Sequence, residues 1–158
     1  MTLKEYQQEA VKFRTPESDN AEYLHLGLIS EVGEVAGKLA KKIRDGVFDE
    51  KAFIKELGDV LWFVANIAEK YGFDFCVKGS FYSESEIEYY IYDLLKYAGE
   101  LYIISGFIAN QDVHRILKSL TVLADKYGYT LEQVAEINIA KLRDRQFRGV
   151  INGNGDER

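Results

Sequence analysis

Proline is nearly missing from this chain: Pro16 is the only one in 158 residues. Without proline to break them, the segments that follow can run as long uninterrupted helices, and the 13 glycines fall mostly at segment ends. Cysteine is equally scarce. Cys76 alone cannot close an intrachain disulfide, which points to a reduced, cytoplasmic setting. No charged start leads into an apolar run, and no stretch is long and apolar enough to suggest a membrane span or secretion. An excess of positive charge is lacking too. The formal net charge is -6, which opposes stable DNA or RNA binding, because a general grip on phosphates needs Lys and Arg to displace counterions. An acidic protein can still bind phosphates through a metal.

What remains is 47% hydrophobic and 29% charged residues, enough for one core and too few residues for two ordinary domains. The chain reads as a single domain, residues 1–158. Apolar residues recur at helical spacing, with breaks where Gly, Asp or Ser cluster. Helices are expected over about 2–13, 21–44, 50–71, 84–106, 111–127 and 131–147, with no suggestion of β structure. The fold class is therefore all-α, an antiparallel bundle of about five or six helices. The linker Arg44 to Asp49 is short enough to force the second and third helices into an antiparallel hairpin. The Gly-rich tail from Gly149 to Arg158 is expected to be mobile unless something orders it.

A faint internal repeat is present. Ile67 to Phe73 reads much like Leu123 to Tyr129, and Gly33-Glu34 is echoed by Gly99-Glu100. In this alignment Tyr97 stands where Glu31 does and Arg115 where Asp59 does, so the second copy lacks those acids. Duplication and chance similarity between two amphipathic helices both account for it.

Each helical residue advances by about 100°, so faces follow from numbering. Leu28, Ile29, Val32, Val35, Ala36, Leu39 and Ile43 share an apolar arc on the second helix; Glu31 lies just off one edge and Glu34 a step further round. On the third helix Phe53, Leu57, Val60, Leu61, Val64, Ile67 and Ala68 form the arc, bordered by Glu56, Asp59, Phe63 and Asn66. Face-to-face packing brings two acid pairs, each spaced i, i+3, to the rim of one core. Two like charges about 4 Å apart cost roughly 4 kcal/mol at an intermediate dielectric, so a cation or a proton is required. Oxygen donors without Cys or paired His favour a hard cation, Mg²⁺ or Mn²⁺. Gly33 and Gly58, costly inside helices, suggest a close approach of a helix or substrate. One such acid pair is normally a solvated feature; two on facing edges point to a metal site.

Glu31-x-x-Glu34 followed by Glu56-Leu57-Gly58-Asp59-Val60-Leu61-Trp62 resembles the signature of the MazG-like all-α nucleoside-triphosphate pyrophosphohydrolases. Glu5-Tyr6-Gln7, the run Asn138 to Arg145, and the ending from Arg148-Gly149 to Gly155-Asp156 are similar to that family as well. The resemblance covers most of residues 1–72 and 121–158, leaving 73–120 as a helical insertion or degenerate repeat. It implies Mg²⁺-dependent cleavage between the α and β phosphates of a nucleoside triphosphate, giving monophosphate and pyrophosphate. In that reading Glu31, Glu34, Glu56 and Asp59 are the metal ligands and catalytic residues, and a metal-activated water attacks phosphorus. One carboxylate takes the water's proton in some versions of this chemistry. A homodimer or higher homo-oligomer is also implied, although an internal second hairpin could replace a partner subunit.

Asn138, Lys141 and Arg145 fall within about 60° of one another, a polar stripe with no obvious acidic partner face. A solvated face is the plain reading; beside the family motif, Lys141 and Arg145 are expected on phosphate. Lys38 is a weaker candidate and Lys55 weaker still. Phe63 shares the edge of Glu56 and Asp59 and is the better base-stacking candidate than Trp62, while aromatics there are otherwise core. Asn66 is a candidate hydrogen-bonder to substrate. His25 is expected packed within its arc. The tail Asn152 to Arg158 either closes over nucleotide or stays disordered.

Two rivals stand beside this reading. Glu22-x-x-His25 has di-iron spacing, but a di-iron bundle needs two such motifs. The other rival is a catalytically silent nucleotide sensor or helical interaction protein.

Overall fold

The computed structural model describes residues 1–77, 79, 86–103 and 107–150, and the side chains of 102, 103 and 107–109 are not among those described. Six α-helices form, with no strand among the described residues: α1 (Leu3–Ala10), α2 (Ala21–Asp45), α3 (Glu50–Tyr71), α4 (Ile87–Ile103), α5 (Phe107–Asp125) and α6 (Leu131–Phe147). The architecture is the all-α bundle expected. A 3₁₀ turn, Val11–Phe13, tightens the end of α1, and α5 begins four residues earlier than the apolar spacing implies.

The ends are set by local chemistry. Thr2 and Glu5 make a reciprocal capping box on α1, and Thr130 and Gln133 make another on α6. Asn20 accepts hydrogen bonds from two backbone amides at the start of α2, and Asp49 caps α3. Gly46 stops α2 at φ 71°, a left-handed conformation that glycine adopts without strain. Four residues later α3 starts, so α2 and α3 are held antiparallel.

α2 packs on α3 and α4 on α5, and the two hairpins lie against each other through α2 with α4 and α3 with α5. α1 and α6 pack together against α3, which makes α3 the central helix. Its buried residues accordingly run all round it, from Phe53 to Ala68. The Trp62 indole donates to the Ala10 carbonyl at 3.1 Å and ties α3 to the end of α1. Trp62 is thus part of the core.

The apolar arc of α2 is narrower than its sequence suggests. Leu24, Leu28, Val32, Val35 and Leu39 are buried, but Ile29 is 41% and Ile43 71% exposed. Ile29 lies at the arc's outer edge, and Ile43 sits in the last turn of the helix. His25 is buried, its ring 5.8 Å from that of Tyr71. The segment 152–158, expected to close over nucleotide or stay loose, lies outside the described residues.

Candidate metal centre

Packing α2 on α3 brings three carboxylates into one group. Glu31, Glu56 and Asp59 each offer an oxygen, and these atoms lie within 4.8 Å of one another. Glu34, a turn further along α2, is exposed and outside this group, but its charge acts on Glu31. Glu56 is only 1% exposed. Burial first, then the charges of Asp59, Glu34 and Glu56, push the Glu31 carboxyl up to about 8.

Two ammonium groups reach the acids. Lys38, on the same edge of α2, lies 2.9 Å from Glu56 Oε1, and Lys141 of α6 is hydrogen-bonded to Asp59 Oδ2. Asn138, one turn earlier on α6, donates its amide to Asp59 Oδ1 at 3.0 Å. The polar stripe of α6 therefore does have an acidic partner, Asp59 on α3. Sequence could not show this, because the pairing depends on how α6 crosses α3. Arg145 lies a further turn along, half-buried, and forms no ion pair with a described residue. Lys55 is exposed.

The orientation of Asn138 is fixed from behind. The buried Tyr6 hydroxyl donates to Asn138 Oδ1 at 2.8 Å, so the amide nitrogen must face Asp59. Burial and the charge of Asp59 hold the Tyr6 phenol well above its ordinary range, so it stays a donor. Gly58 makes room for this arrangement: a Cβ there would stand 3.0 Å from Asn138 Cβ. Gly33, by contrast, faces open space among the described residues, with nothing within 4 Å of a Cβ placed there.

Phe63 is buried rather than open for stacking. Its ring lies 5.9 Å from that of Tyr23 and meets Trp62 edge-on, and it fills the space left by Gly27, where a Cβ would be 2.2 Å from its Cε1. Asn66 is also buried and donates to the Trp62 carbonyl at 2.8 Å, its own helix's backbone. Tyr6 and Gly27 were not picked out from sequence as site residues. The signal for Gly27 was present, since it lies one turn before Glu31 on the same edge of α2.

The donor set suits a hard divalent cation. All the atoms that meet in the group are carboxylate oxygens, no histidine belongs to it among the described residues, and Glu22 is exposed while His25 is in the core. With Glu31 ionised, the four acids and two lysines leave two negative charges, the complement of one divalent ion.

The MazG nucleotide pyrophosphohydrolase domain model matches residues 19–77, the span that holds all four acids. The chain is similar to the Gene 37 protein of Mycobacterium phage L5, with 39% identity over 141 residues, covering 86% of this chain and 75% of that protein. No solved structure matches. Family match and helical architecture together establish that this chain belongs to the MazG-like nucleotide pyrophosphohydrolases.

Proposed function

We propose that the protein hydrolyses a nucleoside triphosphate, ribo or deoxyribo, between its α and β phosphates, releasing monophosphate and pyrophosphate with Mg²⁺, or Mn²⁺ in its place. The observation that carries this reading is the convergence of Glu31, Glu56 and Asp59 within one 4.8 Å group inside the family-matched span. Glu34, adjacent and exposed, is the fourth ligand in this reading, positioned to turn toward a cation or toward a substrate that brings one. When bound, the cation neutralises phosphate charge and lowers the pKa of a coordinated water.

The chain's own residues prepare that event. Tyr6, through Asn138, holds Asp59 in place with its oxygens committed as acceptors. Lys141 and Lys38 neutralise Asp59 and Glu56 before a cation arrives. With a cation held on those carboxylates, both ammonium groups would be free to face phosphate oxygens, where their charge would favour the transition state. Arg145, further along α6, extends the same cationic face. One of these carboxylates would take the proton from the attacking water. Phe63 and Asn66, both buried, shape the wall beneath the site and take part in nucleobase selection only if the helices part.

The role we assign is nucleotide-pool control or removal of aberrant nucleotides. Self-association into a homo-oligomer is part of the same reading, supported by Tyr89, Tyr92 and Leu95 standing exposed along α4. The test is a panel of standard and damaged NTPs and dNTPs with Mg²⁺, scored by phosphorus NMR. Equimolar monophosphate and pyrophosphate are expected, with activity lost in Glu34→Gln and Asp59→Asn. Orthophosphate as the product, or full activity in either variant, contradicts the reading. Nucleotide binding without any product would make the protein a sensor.

A further inference from the structure

The α4–α5 hairpin repeats the α2–α3 hairpin in detail that sequence alone left open. α3 ends at Gly72 with φ 68°, and the Phe73 amide then donates to the Ala68 carbonyl at 2.8 Å. α5 is followed by Gly128 with φ 75°, and the Tyr129 amide donates to the Ala124 carbonyl at 3.1 Å. In that register Val60, Leu61 and Val64 match Ile116, Leu117 and Leu120, all fully buried. Matching Gly33 with Gly99 likewise lays the buried Leu28 and Val32 on the buried Leu94 and Ala98. The match therefore extends beyond periodicity to a glycine stop, a turn hydrogen bond and burial, in one register for α3 with α5 and another for α2 with α4.

These two registers place Asp112 at the position of Glu56 and Arg115 at Asp59, and Glu100 at Glu34 and Tyr97 at Glu31. Asp112 is as buried as Glu56, at 0% exposure. Arg115 Nη1 donates to Asp112 Oδ1 at 2.7 Å, while Asp112 Oδ2 is buried and meets no hydrogen-bond donor among the described residues. The guanidinium lies over the Tyr97 ring, 5.0 Å from its centroid, and Glu100 is near enough for its charge to act on it. A buried carboxylate with an unfilled oxygen, a second acid alongside, and a cation fixed between the helices are the parts of an acidic metal site with the metal replaced.

We infer that α4–α5 is a second copy of the α2–α3 hairpin in which the Arg115 guanidinium occupies the place of a divalent cation. Removing Arg115 reopens a divalent-cation site on Asp112 and Glu100. The inference rests on reading Glu31, Glu56 and Asp59 as a metal site. It gives the built-in cation a purpose: the second hairpin keeps its buried acid neutralised at any metal concentration.

The test counts Mn²⁺ ions bound per chain, by electron paramagnetic resonance of the free ion, in the full-length protein and in the double variant Tyr97→Glu, Arg115→Asp. The variant should bind at least one more ion than the wild type. Because the result is a difference, it stands even if the wild type binds none, which would sink the proposed function alone. An unchanged count in a folded double variant overturns the inference. If the double variant does not fold, Arg115→Ala decides: its melting temperature should fall and be raised by Mn²⁺ more than that of the wild type. Equal Mn²⁺ shifts in the two proteins overturn it.

Discussion

The Tyr6 hydroxyl, Asn138 and Asp59 form a chain in which each group fixes the next, so deleting its far end should be felt at the near one. Tyr6→Phe leaves a buried Asn138 oxygen without a donor, costing about 1–3 kcal/mol of stability. It also frees the amide to turn, and metal affinity is expected to weaken by about tenfold to a hundredfold; chemical denaturation and Mn²⁺ titration read the two effects separately. The glycines of α2 make a matched contrast. Gly27→Ala drives a Cβ into the Phe63 ring and should destabilise by about 1–3 kcal/mol, whereas Gly33→Ala enters open space and should stabilise by roughly 0.5–1 kcal/mol. Thermal melts of the two variants test the pair. Glu31, Glu56 and Asp59 were legible in the sequence because helical spacing puts each on the edge of an apolar face. Tyr6 was not, because its role arises only when α1, α3 and α6 meet. The pairing of Lys141 with Asp59 was hidden for the same reason.

At the scale of elements, α6 delivers both Asn138 and Lys141, and its register depends on its first turn. Thr130 fixes that turn, accepting from the Gln133 amide while the Gln133 side chain accepts from the Thr130 amide. Thr130→Ala should therefore cost about 1 kcal/mol, measurable by urea unfolding, and lower activity through the position of Asn138 rather than through chemistry at the metal. Helix positions were readable because caps and left-handed glycines are local signals; Asn20, Gly46, Asp49 and Gly72 all stand where sequence puts a boundary. The beginning of α5 was less readable, since the apolar residues from Phe107 to Ala109 fit more than one register. Exposed Ile29 and Ile43 show the other limit: hydrophobic spacing marks a face, but the width of that face depends on the neighbouring helices.

For the molecule as a whole, the acidic centre should set how stability responds to pH. Folding raises Glu31 from its ordinary 4.5 to about 8, so between those values the folded chain holds a proton that the unfolded chain has released. Stability contributed by this group is complete below about 4.5 and is lost as pH rises to about 8. In the metal-free protein, Glu31→Gln should therefore gain stability over the wild type as pH is raised from 5 to 8, and saturating Mg²⁺ should narrow that gap by stabilising the ionised wild type. His25, kept neutral by burial, acts in the opposite sense toward acid, but equally in both proteins. The account stands or falls on whether Glu31, Glu56 and Asp59 hold a divalent cation. The most direct measurement is a Mn²⁺ titration of the wild type beside Glu56→Gln, with folding of both checked by circular dichroism. Saturable binding in the wild type that weakens at least about tenfold in the variant is the predicted result; equal affinity in two folded proteins would contradict it.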